Sequence, residues 1–67
     1  MNLPSLIRRV RTSLGLTQIE FAKRLKITQP AVAHLEKGTK GLSVKSARRL
    51  LILCAKVDIN ITLEELV

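Results

Sequence analysis

The stretch Arg11–Gly38, RTSLGLTQIEFAKRLKITQPAVAHLEKG, decides how this chain folds. Thr17 and Glu20 stand at the spacing of a capping box. There the threonine hydroxyl takes a free N–H of the first turn, and the glutamate reaches back to the N-cap N–H. Phe21, Ala22 and Leu25 continue as an apolar stripe, and Lys23, Arg24 and Lys26 load the last turn, where cations suit the helix dipole. This pattern predicts a helix from Gln18 to Leu25. Thr28 is a second N-cap. Pro30 follows inside a first turn, where its missing N–H has no helical partner to lose. Val32 and Leu35 point inward, and Gly38 closes a helix from Gln29 to Lys37. Two short helices, each opening Thr-Gln, are joined by the tight turn Leu25-Lys26-Ile27-Thr28.

Outward from this pair, Leu3, Leu6, Ile7, Val10 and Leu14 share one helical face, with Arg8, Arg9 and Arg11 around it. Pro4 suits the first turn of that helix and Gly15 its end. Downstream, Thr39-Lys40-Gly41 is a loop and Ser43 caps a helix from Val44 to Lys56. Its expected inward stripe is Val44, Ala47, Leu50, Leu51 and Cys54, widened by Ile52 and Leu53. Then the period changes. Val57, Ile59, Ile61 and Leu63 alternate with Asp58, Asn60, Thr62 and Glu64, the pattern of a half-buried strand over residues 57–64. No repeat, linker or low-complexity tract interrupts the chain, so residues 1–67 are expected to form one domain.

Sixty-seven residues fold to a surface of about 4,200 Å² and bury about 60% of what the extended chain exposes. A core that thin excludes a two-domain enzyme, a dinucleotide-binding unit and a barrel. Phe21 is the one aromatic residue, too little for a platform that stacks single-stranded bases. Cys54 is the one cysteine, which excludes a disulfide framework and a multi-cysteine zinc site. No metal or cofactor is expected, and Cys54 falls on the stripe of its helix. With one histidine, and Glu64 and Glu65 the only adjacent acids, no nucleophile–base pair can be assembled, so an enzyme is not expected. The N-terminus lacks the charged and apolar regions of a signal peptide, and the run Leu50–Ala55 is too short to span a membrane. The expected setting is cytoplasmic, on the nucleoid, with no membrane partner.

Charge is divided along the chain. Residues 1–56 carry all 12 basic residues against Glu20 and Glu36, a net of +10; residues 57–67 carry Asp58, Glu64 and Glu65, a net of −3. A basic body of this size implies a polyanion partner. Two short helices with a tight turn suit double-stranded DNA, because the first can cross the phosphates while the second enters the major groove N-terminus first. A glutamine is useful at both N-termini. Gln18 can bond a phosphate beside free backbone N–H groups, and Gln29 can pair with N6 and N7 of adenine.

The pattern RxxxGLTQxxFAxxLxITQxxVxxLExG, Arg11 to Gly38, resembles the Cro/CI-type (XRE-like) helix-turn-helix family, and the likeness spans roughly residues 6–57. It implies a mainly α, lambda-repressor-like domain of four or five short helices that binds operator DNA as a two-fold dimer. On this resemblance Gln18 and Gln29 are phosphate and base readers. Thr28, Pro30, Ala31 and His34 occupy the other DNA-facing positions at the start and outer side of the second helix. Lys37, Thr39 and Lys40 fall in a phosphate-gripping loop, and Arg11 and Glu36 match an ion pair. One departure is Pro30, where members often carry a second polar reader; proline cannot hydrogen-bond a base, though it can touch a thymine methyl.

The tail VDINITLEEL, Val57 to Leu66, is similar to the end of HipB-type antitoxins, whose strands pair across the dimer axis. That likeness implies an antitoxin and autorepressor of a HipBA-like operon, with a HipA-type kinase toxin as partner. Backbone logic also points to a dimer: a lone strand in a helical chain finds its cheapest partner in a second copy. The expected homodimer seam is Leu53, Val57, Ile59, Ile61 and Leu63, with Ile61 near the axis. A phage Cro-like repressor, a restriction–modification controller and a toxin-neutralising module without operator binding remain alternatives.

Overall fold

Each of the four longer helices begins on a side-chain cap. In the computed structural model, which describes residues 2–66 without the side chains of Glu64 and Glu65, Asn2 Oδ1 accepts the Ser5 N–H at 2.9 Å to start α1 (Leu3–Ser13). At α2 (Gln18–Leu25) the capping box is complete: Thr17 Oγ1 accepts from Glu20 N at 3.2 Å, and Glu20 Oε1 accepts from Thr17 N at 3.0 Å. Thr28 caps α3 (Gln29–Lys37) and Ser43 caps α4 (Val44–Lys56) in the same way. A short α5 (Leu63–Leu66) ends the described chain. The chain is thus mainly α.

The helices also end alike. Leu16 N–H reaches Arg11 O, Ile27 reaches Ala22 O, Thr39 reaches His34 O and Ile59 reaches Cys54 O, at 2.9–3.1 Å. Each bond spans five residues and closes over one residue with positive φ: Gly15, Lys26, Gly38 or Asp58. This is the Schellman closure, which satisfies end carbonyls that a helix leaves unpaired. It lets short helices reverse sharply, so α3 packs on both α1 and α2, α2 on α4, and α4 on α5.

The shared core contains Leu6, Ile7 and Val10 of α1, Phe21, Ala22 and Leu25 of α2, and Val32 and Leu35 of α3. Ala47, Leu50, Leu53 and Cys54 of α4 join it, with Leu66 of α5 as the last wall. The exposed surface is 4257 Å², close to the value that chain mass alone gives.

The C-terminal segment corrects the sequence reading. Among the described residues there is no strand: residues 57–62 are irregular and residues 63–66 are helical. The alternation has a different cause. Asp58 sits at φ 55° as the left-handed residue of the α4 closure, a conformation Asp tolerates better than most residues. Ile59 is the residue after it, where an apolar side chain folds back on the helix. Val57, Ile59, Ile61 and Leu63 are accordingly half-buried against their own core. Leu53, expected at the dimer seam, is buried in the monomer. The stripe of α4 is also rotated: Val44 and Ile52 are exposed, Leu51 is half-buried, and Leu53 and Ser46 are inside.

Gly38 has φ +80°, and a Cβ there would stand 3.1 Å from Pro4 Cγ. Gly41 has open space around it. Gly38→Ala is therefore expected to cost about 1–2 kcal/mol, the left-handed penalty of an L-residue, in urea denaturation. Gly41→Ala should stay within about 0.5 kcal/mol of wild type. Equal effects would mean that the α3 closure is not under this constraint.

Candidate nucleic-acid interface

Lys26, at φ 57°, turns the chain between α2 and α3. The turn leaves Gln29, Pro30, His34 and Lys37 exposed along one side of α3, with Ala33 half-buried between them. Positions 29, 30, 33, 34 and 37 share a helical face, opposite the buried Val32, Leu35 and Glu36. Thr28 is exposed, and its hydroxyl is engaged by Ala31 N–H at 3.3 Å. Ala31 is half-buried and lines a cavity of about 100 Å³ with Ile27, Leu35 and Leu42. Lys37 at the end of α3, and Thr39 and Lys40 in the loop after it, are exposed; Thr39 donates through both N and Oγ1 to His34 O.

Behind this face lies a buried anion. The Glu36 side chain is 5% exposed. Arg11 grips it as a fork, Nε donating to Oε2 at 2.7 Å and Nη2 to Oε1 at 3.2 Å, while Nη1 donates to Leu16 O at 3.1 Å. Bidentate, charge-assisted bonds of this kind fix geometry as well as charge. Arg8 adds a bond from Nη2 to Glu36 O at 3.4 Å, with Nε 3.6 Å from Oε1. Burial pushes the Glu36 carboxyl upward in pKa. The Arg11 hydrogen bonds and charge, joined by Gln18 and Arg8, outweigh burial and hold it below the ordinary value.

The two glutamines singled out by the sequence meet. Gln29 Nε2 donates to Gln18 Oε1 at 2.7 Å, across the turn. Arg11 and Glu36 are thus joined on the inside of the bundle, and Gln18 and Gln29 at its surface. Sequence reasoning found these four residues but not the contact between the glutamines. Nor did it foresee the intramolecular bonds of two arginines, Arg8 and Arg49. Arg8 shares a helical face with Arg11, three residues on, which was a usable signal. Arg49 Nη1 reaches Leu25 O at 3.4 Å at the end of α2, and no sequence pattern pointed to that bond.

A helix-turn-helix family model matches residues 7–66, nearly the whole chain. The chain belongs to that family, of the Cro/CI (XRE) type, and is a DNA-binding transcription regulator. Comparison with curated proteins and with solved structures gave no significant match. Among the described residues, no helix is long and apolar enough to cross a membrane.

The lowered Glu36 pKa links stability to pH. A carboxyl more acidic in the folded than in the unfolded state stabilises the fold above the unfolded pKa, about 4.3. That contribution fades as pH falls through the lower folded value. Unfolding midpoints should therefore drop as pH falls below about 4.3. In Glu36→Gln this acid limb should flatten while stability at pH 7 falls. An acid limb identical in the two proteins would show that other carboxyls set it.

Proposed function

We propose that the chain is a homodimeric repressor that lays α3 into the major groove of its operator. Gln29 reads a base, and Gln18 binds a phosphate at the start of α2. Lys37, Thr39 and Lys40 hold the backbone beyond α3, and Pro30 and His34 face the groove between them. The observation that carries this reading is the pairing of two glutamines, each at the first turn of its helix, 2.7 Å apart on a basic, exposed surface. Helix N-termini favour phosphate, and a glutamine amide matches the donor and acceptor of adenine. Gln29→Ala should weaken binding to the selected operator by about 1–3 kcal/mol and leave binding to random duplex nearly unchanged, measured by gel shift at fixed salt. Equal loss on both would make Gln29 a phosphate anchor.

The dimer is supported by one surface. Leu51, Ala55, Ile59 and Ile61 line an open groove of about 380 Å³, and Ile52 beside it is 63% exposed. An apolar patch on so small a body suits a partner, and a second copy would let two α3 helices read both halves of a palindromic site. Linking the two readers makes the second contact effectively intramolecular. Ala55 is exposed on α4 and tolerates a longer side chain without entering the core. Ala55→Glu should sediment as a folded monomer with far weaker operator binding; an unchanged dimer would place the seam elsewhere.

The narrower reading, an antitoxin and autorepressor of a HipBA-like operon with a HipA-type kinase toxin as partner, is supported by the likeness of the tail alone. Among the described residues of the tail there is no strand, and residues 63–66 are helical. Co-purification with a co-expressed kinase of that type is its test, and failure to co-purify ends it.

A further inference from the structure

We infer that the end of α2 and the outer side of α4 form a second phosphate-binding surface, on which the protein holds another segment of duplex while α3 holds the first. The protein is then a bridge between DNA segments as well as a reader of one. Such bridging needs only that the chain bind duplex DNA; it does not depend on which base Gln29 reads or on a toxin partner.

The positive charge of this chain is not gathered on the α3 face. Of the 12 basic residues, Arg8 and Arg11 meet Glu36, and Lys37 and Lys40 stand at and beyond the end of α3. Lys23, Arg24 and Lys26 are exposed at the end of α2, and Lys45 and Arg48 on α4, where Arg49 shares their side of the helix. Arg49 Nη1 reaches Leu25 O at 3.4 Å and so joins the two groups into one patch. The length of α2 sets this patch apart from the α3 face: Gln18, its first residue, meets Gln29, and Leu25, its last, meets Arg49.

The helix dipole accounts for Lys23 and Arg24, which lie in the last turn of α2. It does not account for Lys45, in the first turn of α4, where a cation is disfavoured and no acid offsets it. Nor do ion pairs account for the patch. Among the described residues, Glu36 is the one carboxylate so engaged, and the Glu20 carboxylate, nearest in sequence to Lys23 and Arg24, is bonded to Thr17 N. Like charges gathered in this way repel one another until an anion lies across them.

The anion that fits is the phosphate backbone of a duplex. Lysines and arginines on exposed helix sides meet phosphates without reading sequence. Single-stranded bases would need an aromatic platform, and Phe21, the one aromatic residue, is fully buried. An acidic protein would need aromatic or large apolar anchors seated in pockets. Beside these cations α4 exposes one large apolar side chain, Val44, ahead of Ile52 at the apolar groove.

The experiment fixes to a surface the duplex that the wild-type protein selects from a random library, with both half-sites, saturates it with protein, and adds a labelled duplex of unrelated sequence. Two α3 helices in a dimer can also hold two duplexes, and filling both half-sites closes that route. The wild-type protein is expected to retain the second duplex at about 50 mM salt and to release most of it by about 200 mM. The combined variant Arg24→Gln, Lys45→Gln, Arg48→Gln leaves Arg49 on Leu25. It should retain the second duplex at least about tenfold less, with the affinity and salt slope of the first binding step within about twofold of wild type. Lys37→Gln is the converse control, expected to weaken the first step and make its salt slope shallower. Should the triple variant not fold, Lys45→Gln with Arg48→Gln carries the test. No capture of the second duplex by wild type, capture undiminished in the variant, or a first step that weakens in parallel would overturn the inference, the last by making the patch part of the operator contact. Poly-glutamate retained where the second duplex is not would assign the surface to an acidic protein and overturn it as well.

Discussion

The buried Glu36 carboxylate, forked by Arg11, is the constraint on which the arrangement of this chain depends. A charge taken out of water is tolerated only when it is paired and its lone pairs are used, and here both conditions are met. Removing one partner would strand the other, at a cost of about 3–5 kcal/mol for a buried pair. That is a large share of the stability that a domain of this size can have. The pair is weak evidence for extra stability over an apolar contact. Its value is geometric, because it sets where α3 sits against α1, and α3 carries the outward face.

The helices could not hold this geometry alone. At eight and nine residues, α2 and α3 are shorter than the length at which isolated helices persist in water. Each is made viable at both ends: a side-chain cap at the start, a five-residue closure at the finish, and an apolar face on the core between. Phe21 lies at 0% exposure among aliphatic neighbours and is the largest fully buried side chain. The polar ends and the apolar middle are therefore one device. Caps fix where each helix starts and stops, which fixes which residues face the core, which leaves Gln29, Pro30 and His34 outside.

What the sequence made legible follows from how local each signal is. Caps and stripes are local, and the bounds read for the second, third and fourth helices are those of α2, α3 and α4. The Arg11–Glu36 pair came from family resemblance, since 25 residues separate the partners and no local pattern joins them. The tail misled because alternation is ambiguous over a few residues. Val57, Asp58 and Ile59 read as strand when they are the reversal after α4. The needed signals were present: Asp58 is a residue type that accepts positive φ, and Thr62 and Glu65 repeat the T-x-x-E spacing of Thr17 and Glu20 just before Leu66. The contact between Gln18 and Gln29 was not legible, because it depends on the angle that Lys26 gives the turn.

The composition of the outward face gives the Gln18–Gln29 pair its weight in the proposed reading. Along α3, Pro30 and Ala33 offer a base only carbon, and the polar side chains toward the start of the helix reduce to Gln29. A surface with several hydrogen-bonding readers can tolerate one loosely held member, because the others restrict the choice of sequence. A surface with so few has no such reserve. In the proposed reading its discrimination comes from the one amide, bonded to Gln18 across the turn, and from presenting it twice through a second copy. Both requirements lead away from the DNA, one to Gln18 at the start of α2, the other to the apolar groove between α4 and residues 59–62.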